Sequence, residues 1–300
     1  MLLFSIGLFA CLNYSVVGTD SSGSELHVSA MDKEFIRPYI NEIDIESYRA
    51  TSKAYYKNYL ESKSISDYIN YATSLVFLGE YKKALSIFQE IETKEPGKYE
   101  VAANLGTIYE LIGDNKKAYQ WISKALLINE NSHHKSEWIH LKILEYKLGK
   151  IKLNDILTVD FGTELKLEEK KAPKELKSLI QELMYQLNER TQFVKPKDEI
   201  VGYLYYELGN AIGLEYDIES AIEAYKLAKE YGYENSLLDK RLQNFSRYIK
   251  DNKKSGTKLE ESEESNFHIS DLGKPLLIGG GCALLLSLLM FFKMRNKEKK

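Results

Sequence analysis

Apolar residues return every three or four positions along most of the chain between residues 65 and 249. This is the period of an α-helix with one buried face. Gly79 and Gly113 interrupt the pattern at the ends of two helical runs, where a glycine is typical of the turn that follows a helix. The pattern therefore predicts helices joined in pairs by short turns.

Two of these stretches align with each other after a shift of 34 residues, namely 70–91 and 104–125. A third copy, 202–233, carries small and aromatic residues at matching offsets. A helix–turn–helix period of 34 residues is the signature of a stacked helical array. The residues that coincide in the first two copies are Asn70 with Asn104, Ala72 with Gly106, Leu75 with Tyr109, Gly79 with Gly113, Lys82-Lys83-Ala84 with Lys116-Lys117-Ala118, and Phe88 with Ile122.

In these residues the chain resembles the tetratricopeptide repeat (TPR) family, whose units carry a Leu-Gly pair and an aromatic residue in the first helix. Their second helix carries alanines around another aromatic residue. The resemblance implies an all-α, right-handed helical solenoid that binds proteins and catalyses nothing. The matching residues are Leu105-Gly106, Tyr109, Ala118 and Ala125 in one unit and Leu208-Gly209, Ala221, Tyr225 and Ala228 in another.

The resemblance also predicts where a partner would bind, because the first helices of this family line a concave groove. A polypeptide segment held there by apolar anchors and amide hydrogen bonds is expected. Ser136 and His140 stand where a clamp for a terminal carboxylate would need bases, so no such clamp is predicted. Alternatively, Phe77 and Leu111 pack on a neighbouring helix. The predicted groove residues are Ile69, Asn70, Thr73, Phe77, Ala103, Asn104, Thr107, Leu111 and Asn210.

The helical recurrence of apolar residues is modified between the repeats, and it stops towards both ends of the chain. The chain is divided as follows: 1–18 signal peptide, 19–64 N-terminal helical cap, 65–132 two TPR units, 133–201 degenerate helical repeats with an irregular insert, 202–249 a TPR unit and a capping helix, 250–274 a flexible stalk, 275–292 a transmembrane helix and 293–300 a basic tail.

The sequences at the two ends of the chain predict its location in the cell. Leu2–Leu12 is almost wholly apolar and too short for a comfortable membrane span, which is typical of a signal peptide. Cleavage near residue 18, lipidation at Cys11 and retention as an anchor remain open. Residues 275–292 carry no charge, and their 18 residues would span about 27 Å as a helix. The last eight residues hold five bases and one acid, which predicts a cytoplasmic C-terminus.

The expected location is therefore a single-pass membrane protein with its N-terminal ectodomain outside the cytoplasm. The Lys-, Asn-, Ile- and Tyr-rich composition is compatible with a bacterial protein, in which case the array would face the periplasm from the inner membrane.

The charge and the amino-acid composition argue against several classes of function. The net charge is −3, and without the basic tail it is about −7, which argues against a nucleic-acid partner. The only cysteines are Cys11 and Cys282, so the array has no thiolate for catalysis or metal binding. His133, His134 and His140 form the one histidine cluster, without a carboxylate set evident for a metal. No catalytic residue, cofactor or metal ligand is predicted.

The leading hypothesis is a membrane-anchored scaffold that recruits or assembles protein partners. The first alternative is an accessory subunit of an envelope enzyme or transport complex, bound through 275–292. The second is an enzyme with its site in the 151–175 insert, which would require a polar pocket around Asp160, Glu164 and Glu168.

Overall fold

The computed structural model describes residues 45–259, with side chains for 45–251. This part of the chain is helical and contains no strand, apart from one isolated antiparallel bridge between Asp160 and Lys171. The helices are α1 Ile45–Ser62, α2 Ile65–Phe77, α3 Tyr81–Lys94, α4 Tyr99–Leu111, α5 Asn115–Ile128, α6 Ser132–Lys135, α7 Glu137–Lys147, α8 Leu176–Phe193, α9 Glu199–Glu215, α10 Ile218–Glu230 and α11 Ser236–Leu259, with a 3₁₀ turn at Leu153–Asp155. The all-α prediction is confirmed for these residues.

Each of the three sequence units is a packed helix pair: α2 with α3, α4 with α5, and α9 with α10. Gly79 and Gly113 end the first helix of two pairs with φ of 75° and 85°, a backbone conformation that favours glycine. Successive pairs also contact each other, since α3 packs on α4. The first two pairs are therefore stacked on each other, as the units of a helical array are.

The repeated small residues lie where the two helices of a pair approach most closely. A Cβ atom at Gly106 would lie 2.6 Å from Ile122 Cγ1, and one at Gly209 would lie 2.5 Å from Tyr225 Cδ1. Real Cβ atoms do not come this close to their neighbours, so glycine sets the helix separation at both places. The Leu-Gly pairs at 105–106 and 208–209 thus have the packing role that their position in the repeat predicts.

The middle of the chain departs from the simple repeat. The insert between α7 and α8 contains turns, the 3₁₀ segment and the bridge at Asp160, in agreement with the irregular loop that the sequence indicates. Helix α8 follows, and the apolar residues that return at helical spacing along it are buried, namely Leu176, Leu179, Ile180, Leu183 and Leu187. It contacts α6, α7 and α9.

The two ends of the described part are both helical. Helix α1 lies within the stretch 19–64, for which an N-terminal cap stays a prediction, and its Tyr48 ring stacks on Phe77 with centroids 4.4 Å apart. Helix α11 continues to Leu259, ten residues into the stretch predicted as a flexible stalk. The first compact unit of the chain ends at Ile249, so this extension lies beyond it.

The predicted signal peptide, membrane span and basic tail lie outside the described residues. Among the helices from 45 to 259, none combines the length and the apolar character that crossing a bilayer requires.

Candidate interaction surface

The structure buries the residues that the sequence assigned to an open groove. Eight of the nine are buried and Leu111 is half-buried. The expectation that they form an accessible surface is therefore wrong for this structure, and a role in binding a partner stays a prediction. The buried eight are Ile69, Asn70, Thr73, Phe77, Ala103, Asn104, Thr107 and Asn210.

The chain's own helices cover this face. Phe77 lies between Tyr48 of α1 and Phe193 at the end of α8, with ring centroids 4.4 Å and 5.4 Å away. The side-chain amide of Asn104 on α4 donates to Thr73 Oγ1 on α2 at 3.2 Å. This hydrogen bond joins the first helices of two neighbouring pairs. The alternative considered for Phe77, packing on a neighbouring helix, describes what is observed. Leu111 is partly buried against the apolar cluster that contains Phe77.

Asn210 has a structural role in the last pair. Its Oδ1 accepts hydrogen bonds from Tyr225 Oη at 2.7 Å and from Arg241 Nη1 at 2.9 Å. Its Nδ2 donates to Glu207 Oε2 at 2.9 Å. A buried amide that uses both of its ends in this way holds α9, α10 and α11 together.

A buried cluster of charged side chains joins α4, α7 and α8, and Glu110 is at its centre. The Glu110 carboxylate accepts from His140 Nε2 at 2.6 Å, from Lys147 Nζ at 2.7 Å and from Arg190 Nη1 at 2.9 Å. Burial alone would raise the pKa of Glu110, but Arg190 and His140 outweigh it and hold the pKa well below its usual range. Glu110 is therefore ionised at neutral pH.

Glu137 connects this centre to a second histidine. It lies between His140 Nδ1 at 3.2 Å and His133 Nδ1 at 2.7 Å, and it accepts from Tyr99 Oη at 3.1 Å. His133 is also 3.6 Å from Glu189 of α8. The cluster thus runs from α4 through α6 and α7 to α8.

The backbone of α6 places His133 in this cluster. His133, His134 and Lys135 have φ of 50°, 52° and 64°, a left-handed conformation that side-chain-bearing residues adopt only when their surroundings hold them. The turn brings the His133 side chain to 6% exposure while His134 stays exposed. The turn places the His133 imidazole within ion-pairing distance of the Glu137 and Glu189 carboxylates.

Both buried histidines are held in their protonated form. Burial alone would lower the pKa of His133, but Glu189 and Glu137 raise it to about 9. Burial opposes protonation of His140 as well, and Glu110 and Glu137 raise its pKa above the usual value. Burial would raise the pKa of Glu137, whereas His133 and His140 lower it.

The sequence contained a signal for this cluster that its interpretation missed. Glu137 is three residues before His140 on α7, a spacing at which side chains meet on a helix. His133 lies in the left-handed turn before α7, so helical spacing does not account for its contact with Glu137. Glu110 and Arg190 are 80 residues apart, and no local pattern indicates that they pair. No group of three or more His, Cys, Asp or Glu side chains placed to hold a metal occurs among the described residues.

The pocket required for the enzyme alternative is not formed by the residues proposed for it. Asp160, Glu164 and Glu168 are all exposed on the insert. The Asp160 carboxylate accepts from the backbone N–H of Gly162 at 2.8 Å, so it caps a turn. Glu164 contributes its carbonyl oxygen to Arg241.

Comparison with known proteins gives a weak similarity to a solved structure. No family model and no curated protein matches the chain. Among solved structures, the chain is similar to a tetratricopeptide repeat protein from Parabacteroides merdae ATCC 43184, with 19% identity over 67% of this chain and 78% of that one. The TM-score is 0.36, which is too low to carry an argument, so the description as a helical repeat array rests on the helix pairs themselves.

Proposed function

We propose that the chain is a membrane-anchored scaffold whose helical array recruits or assembles protein partners outside the cytoplasm. The observation that carries this proposal is the 34-residue repeat realised as stacked helix pairs, with Gly106 and Gly209 at their closest approach. Arrays of this kind present long, regular surfaces suited to binding other proteins.

The packing around Phe77 changes where the partner is expected to bind. A partner contacts exposed side chains, and the second helices α3 and α5 carry these. Leu127 is 89% exposed, and Lys82 and Lys116 are exposed at equivalent positions of the two repeats. The expected contact surface therefore moves from the first helices to the exposed side of the second ones.

Presentation outside the cytoplasm follows from the sequence of the two ends, and reporter fusions test it. An enzyme reporter that is active only outside the cytoplasm should be active when fused after residue 250. The same reporter fused after Lys300 should be inactive, because the Lys and Arg residues of the tail keep it inside. Activity in both fusions, or the reverse pattern, would contradict the proposed topology.

A further inference from the structure

The cluster around Glu110 buries charged side chains at a helix contact that apolar side chains could have filled. Three carboxylates, two histidines, one arginine and one lysine meet where α4, α6 and α7 contact α8. Their side chains are between 1% and 9% exposed, except for Lys147 at 26%. Removing charges from water is costly unless they are paired, so the contact depends on its charge balance.

The histidines decide that balance. Apart from the more exposed Lys147, the cluster contains three carboxylates, those of Glu110, Glu137 and Glu189. With both imidazoles protonated, these carboxylates face three buried positive charges, two on the histidines and one on Arg190. With both neutral, Arg190 is the one buried positive charge left in the cluster, and its buried part has excess negative charge. The two His133 contacts and the two His140 contacts to carboxylates then lose their ionic character.

We propose that this cluster is a proton-dependent latch, which holds α8 against α4 and α7 while His133 and His140 carry their protons and loosens when they lose them. Helix α8 is the element that would respond, because Glu189 and Arg190 lie on it and Phe193 packs on Phe77 of α2. The latch thereby controls access to the face that α8 now covers.

The titratable groups that face the two histidines act in both directions: the carboxylates favour protonation, whereas the cations Lys147 and Arg190 oppose it, and the carboxylates outweigh the opposing contributions. Helix α4 contributes Glu110 and Tyr99, α7 contributes Glu137 and Lys147, and α8 contributes Glu189 and Arg190. The pKa of His134 on α6 is lowered, by partial burial and by the charge of His133. The neighbouring pair of Lys174 and Glu182 reaches Trp138 on the same contact.

The expected pH dependence follows from the raised histidine pKa values. A group whose pKa is higher in the folded chain contributes its full stabilisation below the ordinary value of 6.5 and loses it as the pH rises through the folded value, which for His133 is about 9. The latch should therefore weaken between pH 6.5 and 9.5. The pKa values of Glu110 and Glu137 are lowered, so these two carboxylates stay ionised throughout this window and do not contribute to the change.

Trp138 provides a local reporter of the latch. Its indole Nε1–H donates to Glu182 Oε2 of α8 at 2.7 Å, so the bond breaks when α8 moves away from α7. The chain has two tryptophans, and Trp121→Phe leaves Trp138 as the only one. In the full-length Trp121→Phe protein, raising the pH from 6.5 to 9.5 should shift the emission to longer wavelength and increase quenching by acrylamide. Far-UV circular dichroism should change little.

Urea unfolding tests whether the latch contributes to the free energy of unfolding. The urea unfolding constant of the full-length chain should increase on the order of tenfold or more over this pH range, beyond the change seen in the histidine variant. In His133→Gln/His140→Gln, which cannot be protonated at these positions, both the fluorescence change and the additional unfolding should be largely lost. His134→Gln is the matched control, because this neighbouring histidine is exposed, and it should respond as the wild type does.

A wild-type chain whose Trp138 emission and unfolding constant do not respond to pH would overturn the latch. So would an equal response in the double glutamine variant. If that variant is unfolded at pH 6.5, the two single variants decide: each must respond less than the wild type, and a full response in both refutes the proposal.

Discussion

Gly106→Leu should lower the free energy of unfolding by about 3 kcal/mol or more, because it forces apart the two helices of the second repeat. A Cβ at this position would come within 2.6 Å of Ile122 Cγ1 and within 3.2 Å of the Ile122 backbone nitrogen. The isoleucine side chain can rotate, but the backbone of α5 cannot yield without moving the helix. Leucine adds three further carbons to this contact. Urea unfolding of the full-length chain measures the loss.

Lys116→Ala is the control for this substitution. Lys116 is exposed on α5 of the same repeat, so its removal should cost less than about 0.5 kcal/mol. Equal losses at Gly106 and Lys116 would contradict the assignment of Gly106 to the helix contact, and with it the register of the repeat.

Arg241→Met should be destabilising by about 3–5 kcal/mol, because it removes the donors that hold the insert against the last helices. Arg241 is fully buried, and its guanidinium donates to the carbonyl oxygens of Phe161, Gly162 and Glu164 at 3.0, 2.7 and 2.8 Å. It also donates to Asn210 Oδ1 at 2.9 Å. Methionine fills much of the volume but removes the guanidinium donor from three backbone carbonyls, of which that of Phe161 is buried and those of Gly162 and Glu164 are partly buried. A buried acceptor that loses its donor costs about 1–3 kcal/mol.

The part of the chain that is destabilised first distinguishes the hydrogen bonds of Arg241 to the insert from a contribution of its side-chain volume to the core. Hydrogen–deuterium exchange should increase first over 158–171, where the insert depends on Arg241, before it increases in α2–α5. Arg247→Met is the matched control, since Arg247 is exposed on the same helix and should have almost no effect. An Arg241→Met protein whose insert exchanges as slowly as in the wild type would show that the guanidinium does not hold the insert.

The local parts of this fold could be predicted from the sequence because they depend on contacts between near neighbours. The 34-residue period, the turn at Gly113 and the stripe on α8 are periodic features, and each corresponds to an element of the structure. Gly106 was recognisable because a small residue returns at the same place in every repeat.

The candidate site could not be predicted in the same way, because it depends on where one helix lies relative to distant ones. The family resemblance implies an open groove along the first helices, but it does not indicate that Phe193 contacts Phe77, 116 residues earlier in the chain. Arg241 and the insert carbonyls are separated by nearly 80 residues, and backbone acceptors leave no trace in a sequence. His133 enters the cluster through a left-handed turn that its residue types do not favour.

Crosslinking in intact cells, followed by mass spectrometry, tests the central claim most directly. The full-length chain should form crosslinks from lysines within 45–249, such as Lys82 and Lys116, to a second protein. These crosslinks should be reduced in Gly106→Leu at equal protein level and retained in Arg247→Met, because binding requires the folded array. Crosslinks confined to residues after 259 would favour an accessory subunit attached through 275–292. That outcome, or crosslinks that persist when Gly106→Leu unfolds the array, would contradict the proposal that the helical repeats are the binding scaffold.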